Sequence, residues 1–596
     1  MKLDPLGDFQ RTHRNGQLNL EQVGQAVRLL GWCKRIRNLG SLVFLDLRDR
    51  WGVVQLVANE TEVQPDLLAR LKAVRSEFVL GAEGVVAERE QKNPNLPTGD
   101  IEVRLTRLLI LNTAQTPPIP LDEGTEANED LRLKYRYLDL RRESLQRALV
   151  LRSEVAGLVR NYFRRNDFVE VETPILGKST PEGARDYLVP SRPHPGQFYA
   201  LPQSPQLYKQ LLQVAGFERY MQICRCFRDE DNRADRQPEF TQVDVEMSFV
   251  RPEDVQGMLE PLLVELAALA GREVHAPFPR LAYRDAMEWY GSDKPDTRCT
   301  VRIQDVTAPF AESGFGLFRE AAASGGSRRV RALFFPGEQA ASFSRKQLDE
   351  LQDAARHLGA GGLPYAKWGK DGLSSSFKKF LEPAAEAALR QALGAAGDGL
   401  AVFAVGTSQE TSKVLGELRL RLARALGLID ESRFEFLWVV DFPLLEWSEE
   451  HGRFVACHHP FTGPHPDDLD KLETDPAGCR AQAYDIVLNG FELGGGSIRI
   501  HDAGVQARLF KAIGLGEAEA REQFGFLLDA LSYGAPPHGG IALGLDRLVM
   551  LLVGAGNIRE VIAFPKTAQA RCLMTNAPAP VHDRQLAELR VKVENG

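Results

Sequence analysis

Two arginines stand in sequence contexts that favour phosphate binding, and Arg228 is the first. It belongs to the charged run Phe227–Glu230, which lies between two apolar stretches that predict a strand on each side. A guanidinium at the tip of such a hairpin can bind phosphate oxygens through a bidentate fork. The alternative is a surface hairpin held by exposed ion pairs, each worth at most about 1 kcal/mol. The residue types alone leave both interpretations open.

Arg547 is the second arginine, and it follows a glycine-rich segment, Gly539–Gly544. We expect a turn there, because glycine permits close backbone approach to a ligand, and then a helix that begins at Asp546. A cation in the first turn would add to the attraction of a helix N-terminus for anions. The spacing matches neither G-x-x-x-x-G-K nor G-x-G-x-x-G, which disfavours the two common nucleotide-binding folds.

A third cluster contains two carboxylates, Asp485 and Glu492, which we expect to flank a short apolar strand. Their hard oxygens suit Mg²⁺, which takes one or two carboxylates together with phosphate oxygens. Arg499 follows three glycines and is placed to meet an anionic group. The adjacent pair His458 and His459 is a weak metal signal without a third ligand, so substrate contact or core packing is favoured.

The composition excludes several classes of protein. A net charge of −8 over 596 residues argues against a non-specific nucleic-acid coat, although a basic face can exist on an acidic body. Seven dispersed cysteines do not predict a disulfide scaffold. Cys224 and Cys226 lack a second pair at metal-ligand spacing, so buried thiols are favoured over zinc. No membrane-length apolar run or secretory signal is visible, and the expected location is the cytoplasm.

The elements that position these residues begin with a predicted barrel. Five short apolar or alternating stretches predict its strands: Val27–Trp32, Leu42–Leu47, Val53–Val57, Phe78–Val86 and Ile101–Leu111. Five strands in under 100 residues favour an oligonucleotide-binding (OB) barrel. The basic run Lys34–Arg37 beside Phe44 suits a single-stranded RNA loop; a solvated basic turn with a core phenylalanine is the alternative.

The rest of the chain divides by composition into a multidomain α+β plan. Residues 113–130 combine Pro, Thr and acids and predict a linker, while Glu143–Arg165 has apolar positions at helical spacing. An Ala- and Gly-rich region without chemistry-bearing clusters predicts an inserted domain. The expected divisions are 1–112 for the barrel, 113–142 for a hinge, 143–297 for the first catalytic part, 298–428 for the α+β insert and 429–596 for the second catalytic part and a C-terminal extension.

Taken together, three segments resemble the signature motifs of class II aminoacyl-tRNA synthetases: Phe168–Pro174, Phe227–Glu230 and Gly544–Arg547. Within that class, three further segments resemble the bacterial-type enzymes for aspartate: Thr180–Tyr187, Gln203–Gln210 and Arg233–Phe240. The resemblance covers nearly the whole chain. Ile36, which interrupts a basic run that is often continuous, and a slightly extended N-terminus are small departures. The implied catalytic fold is an antiparallel sheet with helices.

The resemblance implies a role for each matching residue. Those expected to contact ATP are Arg228, Asp229, Glu230, Gln237, Glu492, Gly544, Leu545, Asp546 and Arg547, with Arg228 and Arg547 catalytic. Those expected around aspartate are Glu182, Ser204, Gln206, Lys209, Arg228, Asp244, His458 and Arg499. Mg²⁺ would accompany ATP at Asp485 and Glu492. The adenylation transition state needs placed cations and metal, and no general base is obligatory because the carboxylate is already ionised.

The resemblance also implies the partners tRNA-Asp, ATP, L-aspartate and a second copy of the chain, with Pro174 at the dimer interface. Arg37, Leu39, Phe44 and Gln55 would read the anticodon. Leu39 favours strict tRNA-Asp charging, because relaxed relatives often carry His nearby. The alternatives are an enzyme that also charges tRNA-Asn, a lysyl- or asparaginyl-type synthetase, and a non-catalytic RNA-binding paralogue. A lysine pocket would need acids at Lys209 and Arg499, and a paralogue would typically have lost a motif arginine.

Overall fold

A computed structural model describes residues 2–180, 184–230 and 235–594. The chain divides into two compact units, and residue 149 ends the main segment of the first. The first unit also includes 563–567 and 571–578, and the second contains 150–562, 568–570 and the C-terminal residues. Within the described residues, no helix is both long and apolar enough to cross a membrane.

The first unit contains a closed five-stranded barrel in the order β1-β2-β3-β5-β4. Its strands and the helix before β4 are β1 (Ala26–Leu39), β2 (Leu42–Asp49), β3 (Gly52–Asn59), α1 (Pro65–Ala73), β4 (Val79–Glu88) and β5 (Ile101–Asn112). Strand β2 shows how the barrel core is filled. Val43, Leu45 and Leu47 are buried at every second position, because successive side chains of a strand point to opposite faces. The predicted OB-type barrel is confirmed: four of the five predicted strands lie within observed ones, and the fifth, predicted from Phe78, begins one residue later at Val79.

The predicted hinge, 113–142, is only partly irregular. Its second half carries α2 (Glu129–Lys134) and α3 (Arg136–Asp139), and no helix or strand precedes them from residue 113 to 128. Asp139 is fully buried and accepts from Arg132 at 3.0 Å and from Arg136 at 2.8 Å. This buried ion-pair network orders the segment after 128, so the description as a hinge does not fit that half.

The chain from Glu143 to Tyr290 provides the first set of elements of the large α+β region. They are α4 (Glu143–Arg165), β6 (Val169–Glu170), β7 (Leu188–Pro190), β8 (Phe198–Ala200), α5 (Gln206–Val214), β9 (Arg219–Phe227), β10 (Glu239–Ser248), α6 (Pro252–Leu269), β11 (Arg280–Ala282) and α7 (Tyr283–Tyr290). Helix α4 has the predicted bounds. Strands β9 and β10 pair antiparallel, so the hairpin predicted around Arg228 is confirmed.

A separate five-stranded sheet follows, in the order β12-β13-β16-β14-β15. Its elements are β12 (Gln304–Asp305), α8 (Gly316–Ala323), β13 (Arg329–Pro336), α9 (Glu338–Ala341), α10 (Arg345–His357), β14 (Tyr365–Gly369), β15 (Gly372–Ser375), α11 (Pro383–Leu393), β16 (Gly399–Gly406) and α12 (Ser408–Ala425). This α+β region falls where the insert is predicted, and its contacts group it with the second compact unit.

The last set of elements completes the central sheet. It comprises β17 (Phe436–Val440), β18 (Leu445–Ser448), β19 (Arg453–Ala456), β20 (Ala483–Leu488), β21 (Phe491–Ile498), α13 (Ala503–Ala512), α14 (Glu517–Leu531), β22 (His538–Gly544), α15 (Leu545–Val553) and α16 (Asp583–Leu589). The eight-stranded sheet runs β11-β17-β20-β21-β22-β10-β9-β6. Its six inner strands are antiparallel, and β11 and β6 join the edges in parallel.

Two expectations about this sheet were wrong. The glycine-rich segment before Arg547 is strand β22 rather than a turn, and the neighbouring strand leaves no room for a side chain at Gly540. A Cβ on Gly540 would lie 2.0 Å from the Val245 carbonyl oxygen. Asp485 and Glu492 do not flank one strand; they lie on the neighbouring strands β20 and β21, which a bulge after Ile486 sets out of simple register.

Candidate active site

A single cavity of about 650 Å³ collects most of the predicted site residues, a size typical of small-molecule sites. It is lined by side chains from α5, the β9–β10 hairpin, β20 to β22 and the start of α15. The predicted residues on its wall are Ser204, Gln206, Lys209, Arg228, Glu230, Gln237, Asp244, His458, Asp485, Glu492, Arg499, Gly544, Asp546 and Arg547.

Four buried charges form the floor of the cavity. Lys209 Nζ on α5 lies 2.7 Å from Asp244 Oδ1 and 3.2 Å from Glu246 Oε2. Arg499 donates from Nε and Nη2 to the two oxygens of Glu246, at 2.9 and 3.0 Å. All four side chains are at least 97% buried. Two cations and two anions therefore compensate one another at a place where burying a single unpaired charge would cost several kcal/mol of desolvation free energy, in the range of about 3–5 kcal/mol.

The pKa values of the two acids move in opposite directions. Burial alone would raise the pKa of Glu246, but Arg499 and Lys209 outweigh it and lower that pKa to about 2. Burial raises the pKa of Asp244, and Lys209 opposes the rise. Glu246 is thus firmly ionised, while Asp244 is the less well compensated of the two and the better partner for an incoming cation.

His459 continues the network on the far side of Arg499. Arg499 Nη1 donates to His459 Nε2 at 2.9 Å and to Ser497 Oγ at 2.6 Å. Burial, then the charges of Arg499 and its neighbours, lower the pKa of His459 well below its ordinary value. The imidazole is therefore neutral and acts as an acceptor, which fixes the orientation of the guanidinium.

Several buried polar atoms on the cavity wall have no hydrogen-bond partner within the described chain. They are Gln206 Nε2, Arg228 Nε, Asp244 Oδ2, His458 Nε2 and Arg547 Nε. Buried polar groups are nearly always paired in native proteins. Unpaired donors and acceptors that converge on one cavity are typical of a site that a polar ligand completes.

The two motif arginines are held in place by different contacts. The guanidinium carbon of Arg228 lies 5.2 Å from the centre of the Phe240 ring, in cation–π geometry. Arg547 Nη1 donates to the Glu492 carbonyl at 2.5 Å, and Nη2 lies 3.1 Å from Asp235 Oδ2. Both cations line the cavity, so both are available to an anion bound there.

Asp485 and Glu492 contribute acids to the same cavity. Burial, then the charges of Glu492 and Asp293, raise the pKa of Asp485 well above its ordinary value. A Cβ on Gly495 would lie 2.5 Å from Asp485 Oδ1, so glycine is needed beside that carboxylate. The described residues contain no cluster of three or more metal-ligating side chains. Two carboxylates fit Mg²⁺ when phosphate oxygens complete its ligand set.

Comparison with protein families assigns the chain to a known family. The model for class II tRNA synthetases (D, K and N) matches residues 128–568, and the model for an OB-fold nucleic acid binding domain matches 27–111. The chain belongs to the class II tRNA synthetases. The resemblance predicted from the three motifs is therefore confirmed.

Similar proteins carry two different names. The chain is 54% identical to the aspartate–tRNA ligase of Exiguobacterium sibiricum, with 98% of each chain covered. It is 52% identical to the aspartate–tRNA(Asp/Asn) ligase of Anoxybacillus flavithermus, with 98% of this chain and 99% of the relative covered.

Solved structures share the fold at low identity. The asparaginyl-tRNA synthetase of Pyrococcus horikoshii with asparaginyl-adenylate aligns at 20% identity and a TM-score of 0.58, covering 92% of this chain and 96% of that one. The aspartyl-tRNA synthetase of Entamoeba histolytica aligns at 18% identity and a TM-score of 0.58, covering 95% and 94%.

Some motif residues of this synthetase have structural contacts that the sequence did not indicate. Asp546 is buried and accepts from the Thr241 amide at 2.7 Å and from Arg152. It therefore connects α15 to β10 and α4. The side chain borders the cavity, but its carboxylate is used by these structural contacts. Leu545 is buried and does not line the cavity; neither does Asp229, whose amide donates to the Arg185 carbonyl at 3.0 Å.

Three other predictions concern Glu182, Pro174 and the pair Cys224 and Cys226. Glu182 lies outside the described residues, so its predicted place in the amino-acid pocket is untested. Pro174 is exposed shortly after β6, next to exposed Ile175 and Leu176. Cys224 and Cys226 are buried with sulfurs 3.8 Å apart.

Sequence reasoning missed Glu246 and Ser497, which hold Arg499, and it did not assign His459 to that guanidinium. Glu246 carried a usable signal: it lies two residues after Asp244, so both side chains leave β10 on the same face. Ser497 carried none, and the histidine pair did not show which partner His459 would have, because only the folded sheet brings both residues to the guanidinium.

The barrel carries its own polar cluster. Arg37 Nη2 donates to Asp46 at 3.0 Å and to Gln55 at 3.3 Å, and Gln55 donates to Glu102 at 3.0 Å. Phe44 is half-buried on the outer face of β2, with the Arg37 guanidinium 5.9 Å from its ring centre. It does not belong to the barrel core, so the core interpretation of Phe44 was wrong. Leu39 is exposed near the β1–β2 turn.

Proposed function

We propose that the chain is an aspartate–tRNA ligase, which joins L-aspartate to ATP as aspartyl-adenylate and transfers it to the 3′ end of tRNA-Asp. The observation that carries the proposal is the pair of buried cations, Lys209 and Arg499, beside Asp244 in a class II synthetase cavity. Both relatives compared above are named as aspartate ligases. The cytoplasm stays the expected location, because tRNA charging serves translation there.

The donors of the floor suit a side-chain carboxylate. A guanidinium has five N–H groups, and four of those of Arg499 are used by Glu246, Ser497 and His459. The fifth, on Nη2, is left for a ligand. Asp244 Oδ2 would accept from the substrate ammonium. Asparagine would offer the free Arg499 donor a neutral oxygen in place of a carboxylate oxygen, at a cost of a few kcal/mol.

The chain's own cations would perform most of the chemistry. Arg228 would contact the α-phosphate, where negative charge grows as the substrate carboxylate attacks, and Arg547 would hold the γ-phosphate. Fixed donors aimed at developing charge are usually the largest catalytic contribution. Asp485 and Glu492 would hold Mg²⁺, which neutralises phosphate charge when bound. Glu230 and Gln237 would contact the nucleotide.

The direct test is amino-acid-dependent exchange of pyrophosphate into ATP by the purified protein. We expect exchange with aspartate and little with asparagine or lysine. Exchange that depends on lysine or asparagine would instead identify another member of the D, K and N group. If the folded protein showed no exchange with any of the three amino acids, the remaining interpretation would be a non-catalytic RNA-binding paralogue.

The amino-acid pocket is tested by Lys209→Met and Arg499→Leu. Each removes a carboxylate partner, so aspartate affinity should fall far more than ATP affinity. Arg499→Lys, which keeps the charge but not the fork, should lie between wild type and Arg499→Leu. Equal losses of ATP and aspartate affinity, in variants that are still folded at the assay temperature, would move these residues to the nucleotide site.

The tRNA range is a second question, because one relative is named only as an aspartate–tRNA ligase, while the name of the other specifies tRNA(Asp/Asn). Exposed Leu39 leads us to propose strict charging of tRNA-Asp. Charging purified tRNA-Asp and tRNA-Asn side by side decides the matter. Comparable rates on both would make the enzyme a relaxed one.

We also propose a two-fold dimer through the segment around Pro174, since closed two-fold dimers are the commonest assemblies. Exposed apolar side chains at Val169, Ile175 and Leu176 support it. Sedimentation at micromolar concentration should give twice the chain mass, and a stable monomer would contradict the proposal.

A further inference from the structure

The barrel carries a second cationic cluster, at the turn between β2 and β3. The guanidinium carbons of Arg14, Arg50 and Arg11 lie 4.2, 4.6 and 5.5 Å from the ring centre of Trp51. We name these four residues the tryptophan–arginine cluster. Arg14, Arg50 and Trp51 are exposed, with 36% of Trp51 accessible.

The turn does not need the indole ring to keep its shape. Asp49 Oδ1 accepts from the amides of Trp51 and Gly52 at 2.8 and 3.1 Å, and Asp49 Oδ2 accepts from the Asn15 amide at 2.9 Å. Gly52 supplies a positive φ of 147°. Backbone contacts to one buried carboxylate therefore set the turn, and the ring is left as a flat surface for guanidinium groups.

Two of these guanidinium groups have no counter-ion. Among the residues that the structure describes, neither Arg14 nor Arg50 forms an ion pair, whereas Arg11 donates to the Leu30 carbonyl at 2.9 Å and lies 3.9 Å from Asp49. The other arginine-ring group of the barrel differs: Arg28 and Arg107 lie over Phe9, and both pair with Glu83. The tryptophan–arginine cluster is thus a local positive site on a chain of net charge −8.

We infer that the tryptophan–arginine cluster binds phosphates of the tRNA backbone, outside the site around Phe44; the inference rests on the proposed function. Stacking uses the face of a guanidinium and leaves its N–H edges for bidentate phosphate contact. The ring also holds two long side chains in place, which lowers the entropy lost on binding. Phe44 on β2 and Arg50 in the turn after it are six positions apart, which is at most roughly 20 Å of extended chain, so one RNA would reach both.

The experiment measures the affinity of the full-length protein for a tRNA-Asp transcript at several salt concentrations. Each phosphate contact contributes about 0.9 to the slope of log affinity against log salt concentration. Arg14→Gln and Arg50→Gln should each reduce that slope by about 1. Trp51→Leu, which keeps an apolar side chain but removes the stacking surface, should weaken binding most at low salt.

Arg107→Gln is the matched control, because it removes an arginine that also lies over a ring of the same barrel but is paired with Glu83. Its slope should stay near wild type. Equal slopes for wild type, Arg14→Gln and Arg50→Gln would overturn the inference, as would an effect of Arg107→Gln of the same size. Aspartate-dependent pyrophosphate exchange by the wild type tests the proposed function separately, because that reaction needs no tRNA.

Discussion

The cavity floor and the outer face of the barrel both bring arginines against acids, but they do so in opposite surroundings. On the floor, Lys209, Asp244, Glu246 and Arg499 are almost fully buried and balance as two pairs. On the barrel, Arg37 pairs with Asp46 while 39% of its side chain stays exposed. Water screens the second set and not the first.

The difference predicts how each region responds to a lost charge. A buried ion pair gives little net stability, yet removing one member leaves an uncompensated charge that costs about 3–5 kcal/mol. An exposed pair is worth about 0–1 kcal/mol. Damage to the floor should therefore affect folding and aspartate binding together, whereas damage to the barrel should affect tRNA binding alone.

The largest expected effect is that of Glu246→Gln, which removes the carboxylate partner of Arg499 and one of the two carboxylate partners of Lys209. We expect a loss of about 3–5 kcal/mol in the free energy of unfolding, measured by urea denaturation, and loss of aspartate binding. Glu239→Gln on the same strand is the control, since its pair with Arg225 is partly exposed to solvent. Equal effects of the two variants would end the distinction between floor and surface.

Arg228→Ala should come next. Loss of one preorganised charge donor costs roughly two to three orders of magnitude in rate, and we expect that drop in pyrophosphate exchange with an unchanged unfolding curve. The side chain lies on the cavity wall, so its loss should not disturb the four floor charges. Near-normal pyrophosphate exchange by this variant would show that Arg228 is not a catalytic residue.

Phe44→Ala tests the barrel half of the comparison. A stacked base is worth about 1–3 kcal/mol, so the KM for tRNA should rise roughly 5–150-fold while pyrophosphate exchange stays intact. A lost thermal transition would mean that Phe44 stabilises the barrel. No change in either property would place the anticodon elsewhere.

The smallest effect concerns pH. The pKa of His459 is lowered from 6.5, so the folded state stays unprotonated where the unfolded state takes up a proton. Its contribution to stability is complete above pH 6.5 and falls as pH drops, by up to about 1.4 kcal/mol per unit. His459→Gln should make unfolding less pH-sensitive between pH 6.5 and 5.5. Exposed His275→Gln is the control, and identical slopes in all three proteins would refute the prediction.

The sequence alone predicted what depends on local pattern. The alternation in β2 and the helical spacing in α4 were sufficient for those elements, and the hairpin around Arg228 followed from apolar stretches on both sides of a charged run. Asp244 was assigned by resemblance. Glu246 was left out of the site although it shares a face with Asp244, because a carboxylate in a charged segment does not show whether it is buried.

What the sequence did not predict depends on close contact between distant segments. Gly540 was expected in a turn because glycine is common there; in the fold it lies in a strand against the Val245 carbonyl. Asp546 was expected to contact ATP, yet its carboxylate contacts Thr241 and Arg152. The order of the segment around Asp139 likewise comes from buried ion pairs that spacing does not reveal.

The pairing of Glu246 with Arg499 has a consequence for synthesis of the chain. The two residues are 253 positions apart, so at 5–20 residues per second the ribosome makes the acid roughly 13–50 s before its partner. Strand β22, which flanks β10, is made later still. During that interval β10 has an open edge, and Lys209 is the one floor cation already made to balance Asp244 and Glu246. An open edge can pair with other chains. A nascent chain halted between the insert and β20 should therefore be a strong substrate for ribosome-associated chaperones, and release from them should follow translation of β22.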